Sequence, residues 1–215
     1  MKKIILLILT STIFLTNLIH SHNLVFWEVL RMTGDINKYF ALDISNKNWF
    51  SQDTSVWTES DFDPIIKLKT SKSSSLGFDP SYSFYYSNSH EIIREFTPKI
   101  LIRNSFKLAD IGLNSLISMQ YRTIENATNR GTVAFLLGTE LFRHKKVSLS
   151  VAEKVYYNYY KTNQIDRNRV FINLEGKVSK ILDLSFLYVW QIAKLGEGIS
   201  WQDTNFLSLV LTFKI

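Results

Sequence analysis

The feature that most constrains this chain is a period of two in its hydropathy. From residue 24 onward apolar side chains mostly alternate with polar ones, and few stretches have the 3.6-residue period of a helix. The C-terminal segment is the clearest case, because every second side chain from Leu207 to Ile215 is apolar. The same alternation runs from Leu182 to Ile192. The pattern predicts an all-β protein whose strands each have one apolar face.

Two kinds of β-barrel contain such strands. A soluble ligand-binding barrel turns the apolar faces inward, whereas an outer-membrane barrel turns them toward lipid and keeps polar groups in its lumen. Three features favour the membrane barrel. The predicted strands run for about 10–14 residues, as a tilted membrane crossing requires. Their polar faces carry charges at mid-strand, as at Lys67, Glu95 and Lys99. The chain also ends on an alternating strand, which is the arrangement that the barrel assembly machinery recognises.

The first residues have the pattern of an export signal. Lys2 and Lys3 precede an apolar stretch that is broken by threonine, serine and asparagine, so we predict a signal peptide over residues 1–21 with cleavage near Ser21. The alternative is an uncleaved N-terminal anchor. Residues 22–215 then form one antiparallel transmembrane β-barrel in a bacterial outer membrane.

The expected partners follow from that location. They are outer-membrane lipids, lipopolysaccharide and, during insertion, the barrel assembly machinery. The 25 Lys and Arg against 19 Asp and Glu suit anionic lipopolysaccharide, and we expect no nucleic acid.

Eleven segments have the pattern of a strand, and single-chain bacterial barrels have an even number of strands. The sequence favours twelve, with residues 51–58 as a further short strand, and the alternative is ten, with the N-terminal segment unpaired. Tight turns alternate with longer connections. We place the tight turns at the periplasmic end with the C-terminus and the longer connections outside.

From about residue 90 onward the chain contains a recognisable set of residues: Glu153, Tyr156-Tyr157-Asn158, Asp166-Arg167-Asn168-Arg169, Leu184, Tyr188, Trp190 and the ending Asn205–Leu209. In these residues it resembles the bacterial family known as domain of unknown function 2490. The isoleucine at the C-terminus departs from the aromatic residue expected there. The resemblance implies a small exported outer-membrane barrel and implies no particular activity.

The charged residues of the polar faces are the candidate functional residues, because they should line the lumen. They are Arg103, Arg122, Glu140, Glu153, Arg167, Arg169 and Glu175. One interpretation is an Arg–Glu ladder that fills the barrel as a salt-bridged plug, since side chains can fill much of a small barrel. The other is a narrow pore with a preference for anions, since basic residues are in excess.

Glu153 does not fit simple alternation, which places it on the lipid face with Val151 and Val155. We predict a β-bulge near Ala152 that turns Glu153 into the lumen, where Arg167 or Arg169 could pair with it. Otherwise Glu153 marks a functional site that faces lipid.

Little in the sequence points to catalysis. The chain has no cysteine, so disulfides, thiolate sites and cysteine nucleophiles are excluded. No motif for a metal or cofactor occurs, and none is expected. His144 belongs to a basic turn, and His90 is the remaining candidate for a general base. We therefore predict a structural barrel or a narrow small-solute channel. The alternatives are a soluble periplasmic ligand-binding barrel and an outer-membrane lipid-modifying enzyme that uses His90.

Overall fold

The computed structural model describes residues 24–51, 57–86, 91–125, 129–160, 162–194 and 201–215. These residues form eleven β-strands that close into a single barrel, so the predicted all-β barrel is confirmed. The strands are β1 (Leu24–Asp35), β2 (Phe40–Ser51), β3 (Trp57–Lys69), β4 (Ser74–Tyr86), β5 (Ile92–Leu108), β6 (Ile111–Ile124), β7 (Arg130–His144), β8 (Val147–Asn158), β9 (Gln164–Lys177), β10 (Leu182–Lys194) and β11 (Trp201–Lys214). No helix within these ranges is long and apolar enough to cross a membrane.

Eleven strands lie within the predicted range of about ten to twelve, although the sequence favoured twelve and gave ten as the alternative. Each segment from residue 24 onward that has the pattern of a strand forms one, and most of the predicted further strand at residues 51–58 falls outside the described residues. Ser51 ends β2 and Trp57 begins β3, while residues 52–56 lie outside the described residues. An odd number of strands can close only if one neighbouring pair is parallel. That pair is β1 with β11, in a register that runs from Leu24 opposite Asn205 to Thr33 opposite Lys214.

The two ends of the barrel differ in their connections. We call the end at which β1 and β11 finish the lower end and the opposite one the upper end. Tight turns join the strands at the lower end, as between Leu108 and Ile111 and between His144 and Val147. Ala109 and Lys145 in these turns have left-handed backbone angles, with φ of 53° and 49°. The longer connections lie at the upper end.

The pleat of each strand separates apolar from polar side chains, and the apolar ones point outward. Neighbouring residues of β10 illustrate this alternation, since Ser185 is 7% exposed and Phe186 is 58% exposed. Exposed large apolar side chains occur on every strand. Examples are Phe26, Phe40, Phe62, Leu76, Ile92, Ile111, Phe135, Val147, Ile165, Phe186 and Trp201. The interior faces instead carry buried serine, threonine, aspartate and glutamate.

One apolar cluster lies inside the barrel, on the strands around its parallel pair. Trp27 of β1, Val189 of β10 and Phe206 of β11 are its buried members, and Trp49 and Phe171 pack against them. The ring centroids of Trp27 lie 4.3 Å from those of Trp49 and 4.7 Å from those of Phe206. This cluster fills one side of the interior and leaves the other sides to charged groups.

Candidate functional site

The candidate site is a cavity of about 460 Å³ inside the barrel, to which every strand contributes at least one side chain. Its charged lining is unevenly distributed. The lining carboxylates all lie on β2 to β5, whereas lining cations are found on several strands and are the only charged groups that β8 and β9 contribute to the cavity. The lining carboxylates are Asp43, Glu59, Asp61, Asp63, Asp79 and Glu95, and the lining cations are Arg31, Lys47, Lys99, Arg103, Arg122, Lys154, Arg167 and Arg169.

Asp43 of β2 is the centre of the first group of ion pairs. It is 1% exposed and accepts hydrogen bonds from Arg31 on one side and Lys67 on the other. The Nε atom of Arg31 lies 2.6 Å from one carboxylate oxygen, and the Nζ atom of Lys67 lies 2.8 Å from the other. This carboxylate therefore joins β1, β2 and β3 from within.

Asp63 of β3 is the centre of the second group. It forms ion pairs with Lys47 and with Lys99, whose Nζ lies 2.9 Å from Asp63 Oδ1, and the hydroxyl of Ser81 donates to that same oxygen at 2.5 Å. Lys99 also reaches Asp79 at 3.0 Å. One lysine thus neutralises parts of two buried carboxylates, since Asp63 is 4% exposed and Asp79 is 2% exposed. The group ties β2, β3, β4 and β5 together.

The third group is a paired arginine and glutamate at the upper part of the cavity. Arg122 of β6 approaches Glu95 of β5 with both arms of its guanidinium, at 2.7 Å from Nε to Oε1 and 2.5 Å from Nη2 to Oε2. Thr97 donates a further hydrogen bond to Glu95 at 2.7 Å. A bidentate arginine–carboxylate pair of this kind fixes geometry as well as charge.

A different arrangement occurs on β8 and β9, where Lys154, Arg167 and Arg169 surround Tyr156. We call these four residues the cationic wall. The Tyr156 ring centroid lies 4.7 Å from Lys154 Nζ, 5.2 Å from Arg167 Cζ and 5.5 Å from Arg169 Cζ. Among the described residues, Arg169 donates hydrogen bonds to two neutral groups, at 2.6 Å to Gln191 and 3.3 Å to the Tyr156 hydroxyl. No ion pair with a carboxylate is formed by these three cations in the described part of the chain.

The structure brings some of the sequence-predicted site residues to the cavity. Arg122 is paired there with Glu95, and Arg167 and Arg169 belong to the cationic wall. Arg103 also lines the cavity, and its buried Nε has no hydrogen-bond partner among the described residues.

The other predicted residues do not join this arrangement. Glu140 pairs with Arg143 three residues away at the lower end of the barrel, with contacts of 2.5–2.9 Å. Glu175 lies on the inward face of β9, opposite Ser148 and Ser185, and makes no ion pair with any described residue. The predicted Arg–Glu ladder is therefore not formed, because a carboxylate and an arginine on consecutive strands meet only where register and depth agree.

Glu153 requires a correction, since the predicted bulge at Ala152 is wrong. The ladders of β8 continue through Ala152 and Glu153 without a shift, and Glu153 lies opposite Leu137 and Val170. The irregularities lie elsewhere, at Leu141 of β7 and at Asp166 of β9, each of which has no partner in the register. Glu153 therefore faces outward and is exposed, and the side-chain amide of Asn168 donates a hydrogen bond to it at 2.8 Å.

Sequence reasoning missed the aspartates that organise the interior. Asp43, Asp63 and Asp79 each lie two positions away from another polar residue on the same strand face, namely Ser45, Asp61 and Ser81. This spacing was the available signal, because residues two apart in a strand share a face. Their cationic partners on β1, β2, β3 and β5 could not be identified without the order of the strands.

The structure describes only one of the two histidines that the sequence analysis considered. His90 lies outside the described residues. His144 ends β7 at the lower turn, where its ring stacks on Phe142 with centroids 6.3 Å apart. Within the described ranges, no group of three or more His, Asp or Glu side chains is placed to hold a metal ion.

Comparison with known proteins adds no further identification. Neither the models of protein families nor the curated proteins compared with this sequence gave a match. Membership of the family called domain of unknown function 2490 stays a prediction.

Proposed function

We propose that this chain is a bacterial outer-membrane barrel whose lumen is a narrow, charge-lined passage for small solutes. The observation that carries the proposal is the inverted polarity of the barrel. Ion pairs centred on Asp43, Asp63 and Glu95 occupy the interior, and exposed apolar side chains cover the exterior of every strand. Outer-membrane barrels have this distribution, with polar groups in the lumen and an apolar band toward lipid.

The exterior supports a lipid environment on energetic grounds. Leu30, Ile66, Ile100 and Phe186 are each about half exposed. Leaving apolar surface in water costs about 25 cal/mol per Å², and soluble monomers rarely expose contiguous apolar patches above a few hundred Å². A bilayer removes this cost, because its hydrocarbon is as apolar as the side chains.

The aromatic side chains support the same location. Exposed aromatic rings lie near both ends of the barrel, as expected at the two membrane interfaces. Those toward the upper end include Tyr157, Tyr159, Tyr160 and Trp190, and those toward the lower end include Tyr39, Phe40, Phe106 and Phe142. The lower end, with its tight turns, then faces the periplasm.

The interior argues against the soluble ligand-binding alternative, which requires an apolar lumen for an apolar ligand. It also argues for a narrow passage, because the ion pairs cross between strands and leave a cavity of about 460 Å³. Cations outnumber carboxylates along that cavity, so we expect small anions to be preferred to cations.

The proposal is tested by fractionation and by electrophoresis with and without boiling in SDS. We expect the protein in the outer-membrane fraction and a faster-migrating form before boiling. Planar bilayers should then show small, anion-selective conductance steps. Recovery of the protein in the soluble periplasmic extract without a heat-dependent shift would refute the membrane location. Large conductance that is insensitive to replacement of Arg122 and Arg169 would refute the narrow lumen.

A further inference from the structure

Most cations of the interior pair with a buried carboxylate, whereas Arg103 and the three cations of the cationic wall form no ion pair with any described residue. Arg31, Lys47, Lys67, Lys99 and Arg122 each form an ion pair with a buried carboxylate. Arg167, by contrast, has a buried Nε with no hydrogen-bond partner among the described residues. Buried cations are normally paired, so three that converge without a carboxylate indicate a position for an external anion.

A second, independent feature is an unused donor on the neighbouring aromatic surface. Trp27 is 7% exposed and lines the same cavity, and its indole Nε1–H has no hydrogen-bond partner among the described residues. The Trp27 ring lies 5.8 Å from the guanidinium carbon of Arg169, so this donor is next to the cationic wall. Buried indole N–H groups usually find a partner.

The neighbouring surface is apolar and aromatic. Trp49, Phe171 and Leu187 line the cavity beside Trp27 and pack against the interior apolar cluster. A ligand at the cationic wall would therefore have its charged end among Lys154, Arg167 and Arg169 and its other end against flat rings. The cavity of about 460 Å³ is within the range of about 300–1,000 Å³ that is typical of sites for small molecules.

We infer that the cationic wall and Trp27 bind a small organic anion, in which a phosphate, sulfonate or carboxylate group is attached to a flat apolar ring. The guanidinium groups of Arg167 and Arg169 suit such oxygen anions, because each offers several N–H donors in a planar fork. This inference rests on the proposed function for access to the lumen, and it names the class of solute.

The test is titration calorimetry with phenyl phosphate on the whole barrel refolded in detergent micelles. Benzyltrimethylammonium, which has the same ring and the opposite charge, serves as the comparison ligand. We expect phenyl phosphate to bind and benzyltrimethylammonium not to bind. The double variant Arg167→Gln/Arg169→Gln should weaken binding at least about tenfold, since hydrogen bonds to charged groups are the strong ones. Arg143→Gln changes the charge of an exposed arginine away from the cavity and should leave the affinity within about twofold.

A second variant keeps the test informative if the double variant does not fold. Trp27→Phe keeps an aromatic ring and removes the Nε1–H donor, so it should weaken phenyl phosphate binding several-fold. Absence of binding to the natural barrel would overturn the inference, as would equal affinity in Trp27→Phe or the double variant. A barrel that keeps its heat-dependent gel shift without binding phenyl phosphate refutes this inference alone. A soluble protein without that shift refutes the membrane proposal, whatever it binds.

Discussion

At the scale of single residues, Asp43 and Asp63 hold the interior together because each pairs with two cations. Asp63 accepts hydrogen bonds from Lys47, Lys99 and Ser81 while being 4% exposed. Removing the charge of such a group leaves its partners buried and uncompensated, which costs more than the pair itself contributes. Interior carboxylates should therefore contribute much more to the stability of the barrel than exterior ones.

Asp63→Asn should destabilise the barrel by about 3 kcal/mol, because Lys47 loses its ion-pair partner in a buried setting. The measurement is the free energy of unfolding in urea in the presence of lipid vesicles. Asp35→Asn is the matched control, since Asp35 pairs with Lys69 at 2.6 Å but is 68% exposed. That control should change the stability by less than about 1 kcal/mol. Equal effects of the two substitutions would contradict this account of the interior.

Glu153→Leu should change the free energy of unfolding in the opposite direction, toward greater stability. Glu153 faces outward beside Leu137 and Val170, and a carboxylate on a lipid face is unfavourable. In vesicles we expect the substitution to stabilise the barrel by about 1 kcal/mol despite the lost hydrogen bond from Asn168. Asp110→Leu, in an exposed turn, is the control and should have no such effect. A loss of stability in Glu153→Leu would contradict a lipid environment around this carboxylate.

At the scale of elements, the parallel pair of β1 and β11 closes the barrel. At the lower end of this pair, the backbones of Gly34 and Ile215 lie very close together. A Cβ atom at Gly34 would lie 2.4 Å from the carbonyl oxygen of Ile215. The backbone N–H of Ile215 donates to the carbonyl of Thr33 at 3.0 Å there. Gly34 is thus required by the space between two backbones, and a side chain at this position would push the two strands apart.

Gly34→Val should therefore open the lower part of this strand pair and lower the temperature at which the unboiled form is lost on a gel. Gly112→Val is the matched control, since nothing lies within 4 Å of a Cβ atom at Gly112. The control should lose its unboiled form at the same temperature as the natural protein. If both variants behave alike, closure does not depend on the contact between Gly34 and Ile215.

At the scale of the whole molecule, an odd number of strands places the beginning of β1 and the end of β11 at opposite ends of the barrel. Consecutive turns alternate between the upper and lower ends, because each strand crosses the barrel once. The two connections that flank β6 provide exposed acidic residues for a test, Asp110 at the lower end and Glu125 at the upper end. The chain contains no cysteine, so a single introduced thiol can report which end is accessible.

We expect a membrane-impermeant maleimide to label Glu125→Cys on intact cells and to leave Asp110→Cys unlabelled until the cells are broken. The result follows if the upper end faces outward. Labelling of Asp110→Cys alone would invert the proposed orientation. Labelling of neither thiol until lysis would agree with a soluble periplasmic protein and contradict the membrane proposal.

The local pattern of residues was sufficient to predict the strands and the polarity of their faces. The period of two located each segment that becomes a strand, and it correctly assigned Ser185 to the polar face and Phe186 to the apolar face. Strict alternation also gave the outward direction of Glu153, which the assumed bulge at Ala152 obscured. These features are local, because the pleat of a strand sends successive side chains to opposite faces whatever the strand pairs with.

The tertiary structure alone decided how the strands close and which charges meet. The parallel pairing of β1 with β11 joins segments about 180 residues apart, so no local pattern could reveal that eleven strands suffice. Lys99 reaches Asp63 and Asp79 because β3, β4 and β5 are neighbours in one register. Arg167 and Arg169 have no carboxylate partner among the described residues, because β8 and β9 lie across the barrel from the acidic strands. Ion pairing depends on distances of a few ångströms across the lumen, and these are fixed by register and closure rather than by composition.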